Sequence, residues 1–295
     1  MNRLTVGGAT VAVAAEGRGR WQTTRLGQRF SRDVGSPMLE ITPAPLADAP
    51  PDSGRVGYDS ARGWWISERD DGWTISFWDD HRKASRARCQ VLAVDATWRR
   101  GTIYLPPSLI EPEARPFRLW YPLEQLLFTT LLGRSAGALV HATAFVRDGL
   151  GWLFAGTHGA GKSTMASLFA KRADAVVLSD DRVVVRRVAG TWKVFGTPWA
   201  GTVMQASPIS TPLAGVFFIR HGQRTEAIPL AADRVAPRLL ARCFHPYWDR
   251  DALSGLVDTV SAVATGVPCY DLPFAPDAES ILAALPRPPA EARAG

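Results

Sequence analysis

In the stretch Gly156-Thr157-His158-Gly159-Ala160-Gly161-Lys162-Ser163-Thr164, the first eight residues fit the pattern G-x-x-x-x-G-K-[ST]. Glycines at these spacings let the backbone curl so that successive N–H groups point into one concavity, and a helix starting there adds its positive end. The pattern predicts binding of nucleotide phosphates, with Lys162 reaching the terminal ones and the Ser163 hydroxyl on Mg²⁺. His158 lies inside the loop and either meets phosphate or faces solvent. Eighteen or so residues on, Asp180 and Asp181 close an apolar run, Ala175-Val176-Val177-Leu178-Ser179. Oxygen partners beside the phosphates are what a metal and an attacking hydroxyl both need. Neighbouring residues of an extended chain point to opposite sides, so one carboxylate is expected at the metal and the other at the acceptor. Asp180 is assigned beside Ser163 as the metal ligand, with Asp180, Asp181, His141 and Lys162 as the catalytic set. His141 could exchange a proton near neutrality or hold a carboxylate in place. His81, His221 and His245 carry no comparable signal.

These groups need particular elements to position them. The loop follows Trp152-Leu153-Phe154-Ala155, read as a strand, and precedes Met165-Ala166-Ser167-Leu168-Phe169-Ala170, read as a helix. Ala142 to Val146, continuing from Ala138-Leu139-Val140-His141, reads as a neighbouring strand, and Asp148-Gly149 as the hairpin turn joining the two. Val183-Val184-Val185, Val216 to Ile219 and Val267 to Leu272 read as further strands. Helical spacing appears from Tyr121 to Leu132, with Pro122 at its start, and from Leu253 to Val263. Gly133 to Gly137 reads as a loop.

The first half has a different texture. Gly63 to Ser67, Trp73 to Trp78, Gln90 to Val94 and Gly101 to Leu105 are short aromatic and β-branched runs, the first two joined by Glu68-Arg69-Asp70-Asp71-Gly72. They predict a small β-rich domain, in which Trp64, Trp65, Trp73 and Trp78 either pack across strands or form a recognition face. Residues 1 to about 55 read as loop or linker. The tail from Pro286 has the composition of a disordered segment.

With 295 residues, 46% of them hydrophobic, the chain is large enough for one big domain or two ordinary ones. Its 34 basic and 28 acidic residues give a net charge of +6, which suits an anionic ligand, yet the charges are dispersed and indicate no nucleic acid. Cys89, Cys243 and Cys269 have neither disulfide nor zinc spacing, as expected of reduced thiols. Leu4 to Ala15 is mildly apolar, but Gly7-Gly8 and Thr10 interrupt it. No run has membrane-spanning length, and an ATP site points to the cytoplasm.

The order of Val140-His141, strand, turn, strand, glycine loop, one short helix, then Leu178-Ser179-Asp180-Asp181-Arg182-Val183 resembles the catalytic domain of HPr kinase/phosphorylase. That family is related to ATP-dependent phosphoenolpyruvate carboxykinases and phosphorylates a protein serine. The resemblance covers roughly residues 120 to 285, and its specific parts are the loop and the Asp-Asp-Arg segment. It implies an α/β P-loop kinase domain of the HPr-kinase/PEP-carboxykinase kind over residues 116–285, which follows the β-rich domain read over 1–115 and precedes the tail over 286–295. It also implies ATP and Mg²⁺, with one Asp of the pair as the acceptor's base. Phe195-Gly196-Thr197-Pro198-Trp199-Ala200-Gly201-Thr202 lacks the charged residues of that family's glycine-rich signature. It looks more like the Gly-Thr-Pro-Trp element of HPr-kinase-like proteins from peptide-modification gene clusters, lasso-peptide kinases among them. The implied acceptor is a serine-type hydroxyl of a peptide or small protein, with a small-molecule kinase and a nucleotide-binding regulatory module as alternatives. A homo-oligomer is left open. The guanine-reading Asn-Lys-x-Asp pattern does not occur.

Overall fold

A computed structural model describes residues 2–14, 21–31, 36–52, 54–61, 63–78, 87–111, 114–119 and 121–286; His81 and the tail beyond Pro286 lie outside them. The chain forms two compact units, Met1–Leu131 with Pro246–Arg250, and Leu132–His245 with Asp251–Gly295. Both are built on large sheets with few helices, a mixed α/β structure. Among the described residues, no helix is long and apolar enough to cross a membrane.

The first unit holds one eight-stranded sheet: β1 (Asn2–Val6), β2 (Ala9–Val13), β3 (Leu39–Pro45), β4 (Arg55–Asp59), β5 (Trp64–Arg69), β6 (Gly72–Trp78), β7 (Arg88–Asp95) and β8 (Arg100–Leu105), in the order β1-β2-β3-β8-β7-β6-β5-β4. The four strands expected between residues 63 and 105 are β5 to β8. The stretch expected to be loop or linker instead supplies β1, β2 and β3. Gly7 and Gly8, at φ 61° and 76°, make the tight turn between the first two, a conformation that glycine adopts without a Cβ penalty. Pro43 and Pro45 lie in an inner strand, where the missing N–H normally excludes proline. β3 pairs with β2 only over Leu39–Ile41, so both prolines sit beyond that ladder, alongside β8 alone.

The four tryptophans are half-buried. Trp64 lies between Tyr58 and Phe77, with ring centroids 5.3 and 6.2 Å away, Trp65 meets Trp78 at 4.6 Å, and Trp73 meets the fully buried Trp98 at 5.4 Å. Each thus has an aromatic partner within the unit, across strands for Trp64, Trp65 and Trp78 and in the turn between β7 and β8 for Trp73. Helix α1 (Leu123–Gly133) begins in this unit and ends in the next.

The second unit is organised by β9 (Gly137–Arg147), β10 (Leu150–Ala155), β11 (Val176–Ser179), β12 (Arg182–Val188), β13 (Thr191–Phe195), β14 (Ser210–His221), β15 (Ile228–Pro229) and β16 (Cys269–Phe274). The long β9 pairs with β12 through its first half and with β10 and β11 through its second. Likewise β14 pairs with β13 at its start and then, in parallel, with β10 and β16. Strands β9, β10, β14, β13 and β12 therefore close into a ring. Asp148 and Gly149, at φ 52° and 74°, form the expected hairpin turn between β9 and β10.

Helices α2 (Lys162–Ala170), α3 (Ala232–Leu240), α4 (Arg250–Gly266) and α5 (Ala278–Ala284) complete the fold. Every residue of β10 is buried because both its faces are covered. Leu153 and Ala155 join Val235 and Leu239 of α3 and Leu256, Val260 and Val263 of α4. Trp152 and Phe154 join Met165 and Phe169 of α2 and Ile281 of α5. Phe169 is fully buried, and its ring centroid lies 3.8 Å from that of Phe145. Phe169→Ala is expected to cost about 3–5 kcal/mol, because truncating a buried phenylalanine removes its transfer energy and leaves a cavity. Chemical denaturation would show it as a lower midpoint at an unchanged slope.

β10, β11 and β14 run in one direction, since β9 is antiparallel to the first two and β14 is parallel to β10. Their last residues, Ala155, Ser179 and His221, mark one rim of the sheet. Ligands in α/β sheets collect beyond the carboxyl ends of such strands.

Candidate active site

The glycine loop leaves β10 at Gly156 and enters α2 at Lys162. Gly159 and Gly161 have φ of 77° and 102°, the left-handed region where a Cβ is penalised. A Cβ on Gly161 would also lie 2.7 Å from the ring of Phe274, so this position is closed by packing as well as by conformation. Thr157, His158 and Gly159 are exposed, Ala160 is buried, and Ser163 and Thr164 are exposed on the first turn of α2. That turn has no acidic residue and no side-chain cap. Its open N–H groups and positive end face the same rim, an arrangement suited to an anion.

Lys162 is buried, and its ammonium donates to the Gly156 and Thr157 carbonyl oxygens at 2.9 and 3.0 Å. Two of its three hydrogens are thus tied to the loop. Burial lowers its pKa; the carboxylate of Asp181 works against that shift, and the Arg242 guanidinium reinforces it. Lys162 is therefore within electrostatic reach of both groups.

The two aspartates have different surroundings. Asp180 is 3% exposed, and its carboxylate accepts three backbone N–H groups: Gly201 at 2.9 Å and Gln205 at 3.2 Å on one oxygen, Val203 at 2.7 Å on the other. It holds the 201–205 loop and has little lone-pair capacity left for a cation. Asp181 remains partly accessible, with 23% of its side chain exposed. One of its oxygens lies 3.2 Å from His141 Nδ1 and the other 3.0 Å from the Arg182 guanidinium. The hydrogen bond from His141 holds its carboxyl below the usual value of 3.8 in spite of burial, aided by the charges of Arg182, His141 and Lys162.

His141 is fixed by the sheet. It pairs with Arg182 across β9 and β12, and its N–H donates to the Arg242 carbonyl at 2.7 Å. Its Nδ1 is also 3.0 Å from the Asp181 carbonyl oxygen. A carbonyl only accepts, so Nδ1 is assigned the proton, and Nε2 is left for another partner. The chain thus brings together Lys162, Asp181 and His141, while Asp180 faces its own loop and His158 remains at the exposed tip.

Three further residues join the rim without a signal in the linear sequence. His221, at the end of β14, has Nε2 2.7 Å from the Gly159 carbonyl oxygen. Arg242 follows α3, donates to the Arg238 carbonyl at 2.8 Å and, like Arg238, lies over the Phe218 ring, the two guanidiniums at 5.9 and 4.5 Å from its centroid. The Thr202 hydroxyl lies 3.4 Å from that of Ser163. Knowledge of the strand order is what would have placed His221 beside the loop; Arg242 and Thr202 depend on loop paths that periodicity does not encode.

No family model matches this chain, and no curated protein matches it. The chemistry of the site rests on its own residues. Among the described residues, no group of three or more His, Cys, Asp or Glu side chains is placed to hold a metal ion. A closed protein cage is thus not what this rim offers. Magnesium bound with a nucleotide needs less, since it usually keeps several waters and takes one or two protein oxygens besides those of the phosphates.

Proposed function

We propose that the second unit is an ATP- and Mg²⁺-dependent P-loop kinase, HPr-kinase-like, that transfers the γ-phosphoryl group to a serine-type hydroxyl of a peptide or small protein. The observation that supports this reading is the Asp181–His141 pair beside the end of β10, where Ala142 pairs with Ala155, with Lys162 of the glycine loop near enough to feel the Asp181 charge. The donor set fits a nucleotide: an uncapped helix start, a lysine and exposed Ser163 and Thr164 hydroxyls lie on a loop whose backbone Gly159 and Gly161 turn through the left-handed region. Ser163 would hold Mg²⁺, which when bound neutralises charge on the β- and γ-phosphates. Lys162 would exchange its carbonyl partners for phosphate oxygens and stabilise the charge that develops on them.

Asp181 would accept the proton of the attacking hydroxyl. Its low pKa keeps it ionised at neutral pH, and the His141 Nδ1–H fixes the carboxylate so that a free lone pair faces the acceptor. Arg182, 3.0 Å from the other oxygen, is a second tie on the orientation of that carboxylate. Use of ATP assigns this activity to the cytoplasm, and the missing charges in Phe195 to Thr202 direct it to a peptide other than HPr.

The decisive experiment incubates the protein with γ-labelled ATP, Mg²⁺ and a panel of serine-containing peptides and small proteins. Label on a peptide serine is the expected result. Label on a free metabolite alone would replace this reading by a small-molecule kinase, and nucleotide binding without any transfer would replace it by a regulatory module.

A further inference from the structure

Asp180 is buried against the 201–205 loop, whose N–H groups it satisfies, and that loop carries a hydroxyl to the start of α2. The loop is pinned on both sides: Thr197 donates to the Arg182 carbonyl at 2.7 Å, and beyond the loop Ser207 N–H donates to the Leu178 carbonyl at 2.9 Å. Between them, the three N–H bonds to Asp180 draw Gly201, Val203 and Gln205 onto the end of β11. Gly201 lies so close that a Cβ there would be 3.0 Å from both Asp180 Oδ2 and Asp181 Cβ. At the apex, exposed Thr202 directs its hydroxyl to within 3.4 Å of Ser163 Oγ.

That separation is informative. A good hydroxyl–hydroxyl bond is shorter, about 2.7–2.8 Å, so little mutual attraction holds the two oxygens together. Adjacent ligands of one octahedral Mg²⁺ at about 2.1 Å would lie roughly 3.0 Å apart, only slightly closer than Ser163 and Thr202. We propose that the Thr202 hydroxyl is a second metal-holding oxygen beside Ser163, and that Asp180 is the positioning residue that fixes Thr202 there. The inference rests on the nucleotide reading above and changes the role of Asp180 within it, from ligand to support.

Manganese is a spectroscopic substitute for Mg²⁺, and its electron paramagnetic resonance reports bound metal without any phosphoryl transfer. The complex of the full chain with Mn²⁺ and ADP is titrated for the unaltered protein, Thr202→Val, Thr202→Ser and Asp180→Asn, each first checked by thermal melting. Thr202→Val is expected to weaken Mn²⁺ binding in that complex about 10–100-fold, while affinity for metal-free ADP stays within about twofold. Thr202→Ser, which keeps the oxygen, restores the metal. Asp180→Asn, which turns an amide donor towards the loop's N–H groups, weakens Mn²⁺ to the same extent as Thr202→Val. Unchanged Mn²⁺ affinity in Thr202→Val overturns the inference, even if Asp180→Asn loses the metal, since Asp180 would then be a ligand itself. If the unaltered protein binds ADP but no Mn²⁺, the inference falls together with the metal role given to Ser163, while nucleotide binding stands; if it binds neither, the nucleotide reading falls as well.

Discussion

Lys162→Ala is expected to lower the proposed phosphoryl transfer by about 10²–10³-fold, the usual loss when a preorganised charge partner of a transition state is removed. The ammonium is the one group of the loop that is buried, cationic and able to change partners. Its bonds to Gly156 and Thr157 hold the loop in shape before phosphate arrives. Alanine removes that cation and also leaves the two carbonyls without it, so Lys162→Met is the useful companion, because it keeps the side-chain volume while removing the charge. Both variants are expected to fall together in single-turnover assays with γ-labelled ATP, with native circular dichroism. Transfer within about threefold of the unaltered rate would place the reacting phosphate away from Lys162, since a contact this close to the developing charge would contribute far more.

Asp181→Asn is expected to reduce turnover by about 10²–10⁴-fold, the contribution typical of a positioned general base. Asparagine keeps the shape and loses the proton-accepting form. The pH dependence separates this role from a structural one. Because His141 and the neighbouring cations hold the folded carboxyl below its ordinary value, Asp181 is ionised at neutral pH and its acid limb is expected below that of a free carboxylate. The pairing stability linked to this group has the same sign: fully present above the unfolded pKa, and lost as pH falls through the folded one. Removing the largest cause of the shift, in His141→Ala, should move the acid limb of the pH–rate profile upward. A profile that stays in place would separate His141 from the reacting carboxylate.

The glycine loop was easy to locate in the sequence because its fixed residues are contiguous and flanked by the apolar runs that became β10 and α2. Asp180 and Asp181 were equally visible, but their division of labour was not. Two identical side chains on adjacent positions differ here through partners distant in sequence: residues 201–205 return to offer three N–H groups to Asp180, while His141 reaches Asp181 across the sheet. His141 was read from the strand in which it sits, while His221 stayed hidden because β14 reaches β10 only through long-range pairing. In the first unit, the turn signal of Gly7-Gly8 was present, yet the short apolar stretches around it resembled a linker. Helix α3 was obscured by Pro237, a residue that argues against a helix interior.

The ring of strands carries a consequence for how the protein is made. β10 emerges from the ribosome with β9 beside it, but its other edge waits for β14, whose pairing with Gly151 begins at Leu213. Until then an apolar strand with an unsatisfied row of backbone groups is exposed, the kind of edge that recruits other chains. Fragments ending before Leu213 should therefore aggregate despite containing the complete glycine loop and both aspartates, whereas chains extending through β14 can seal that edge intramolecularly.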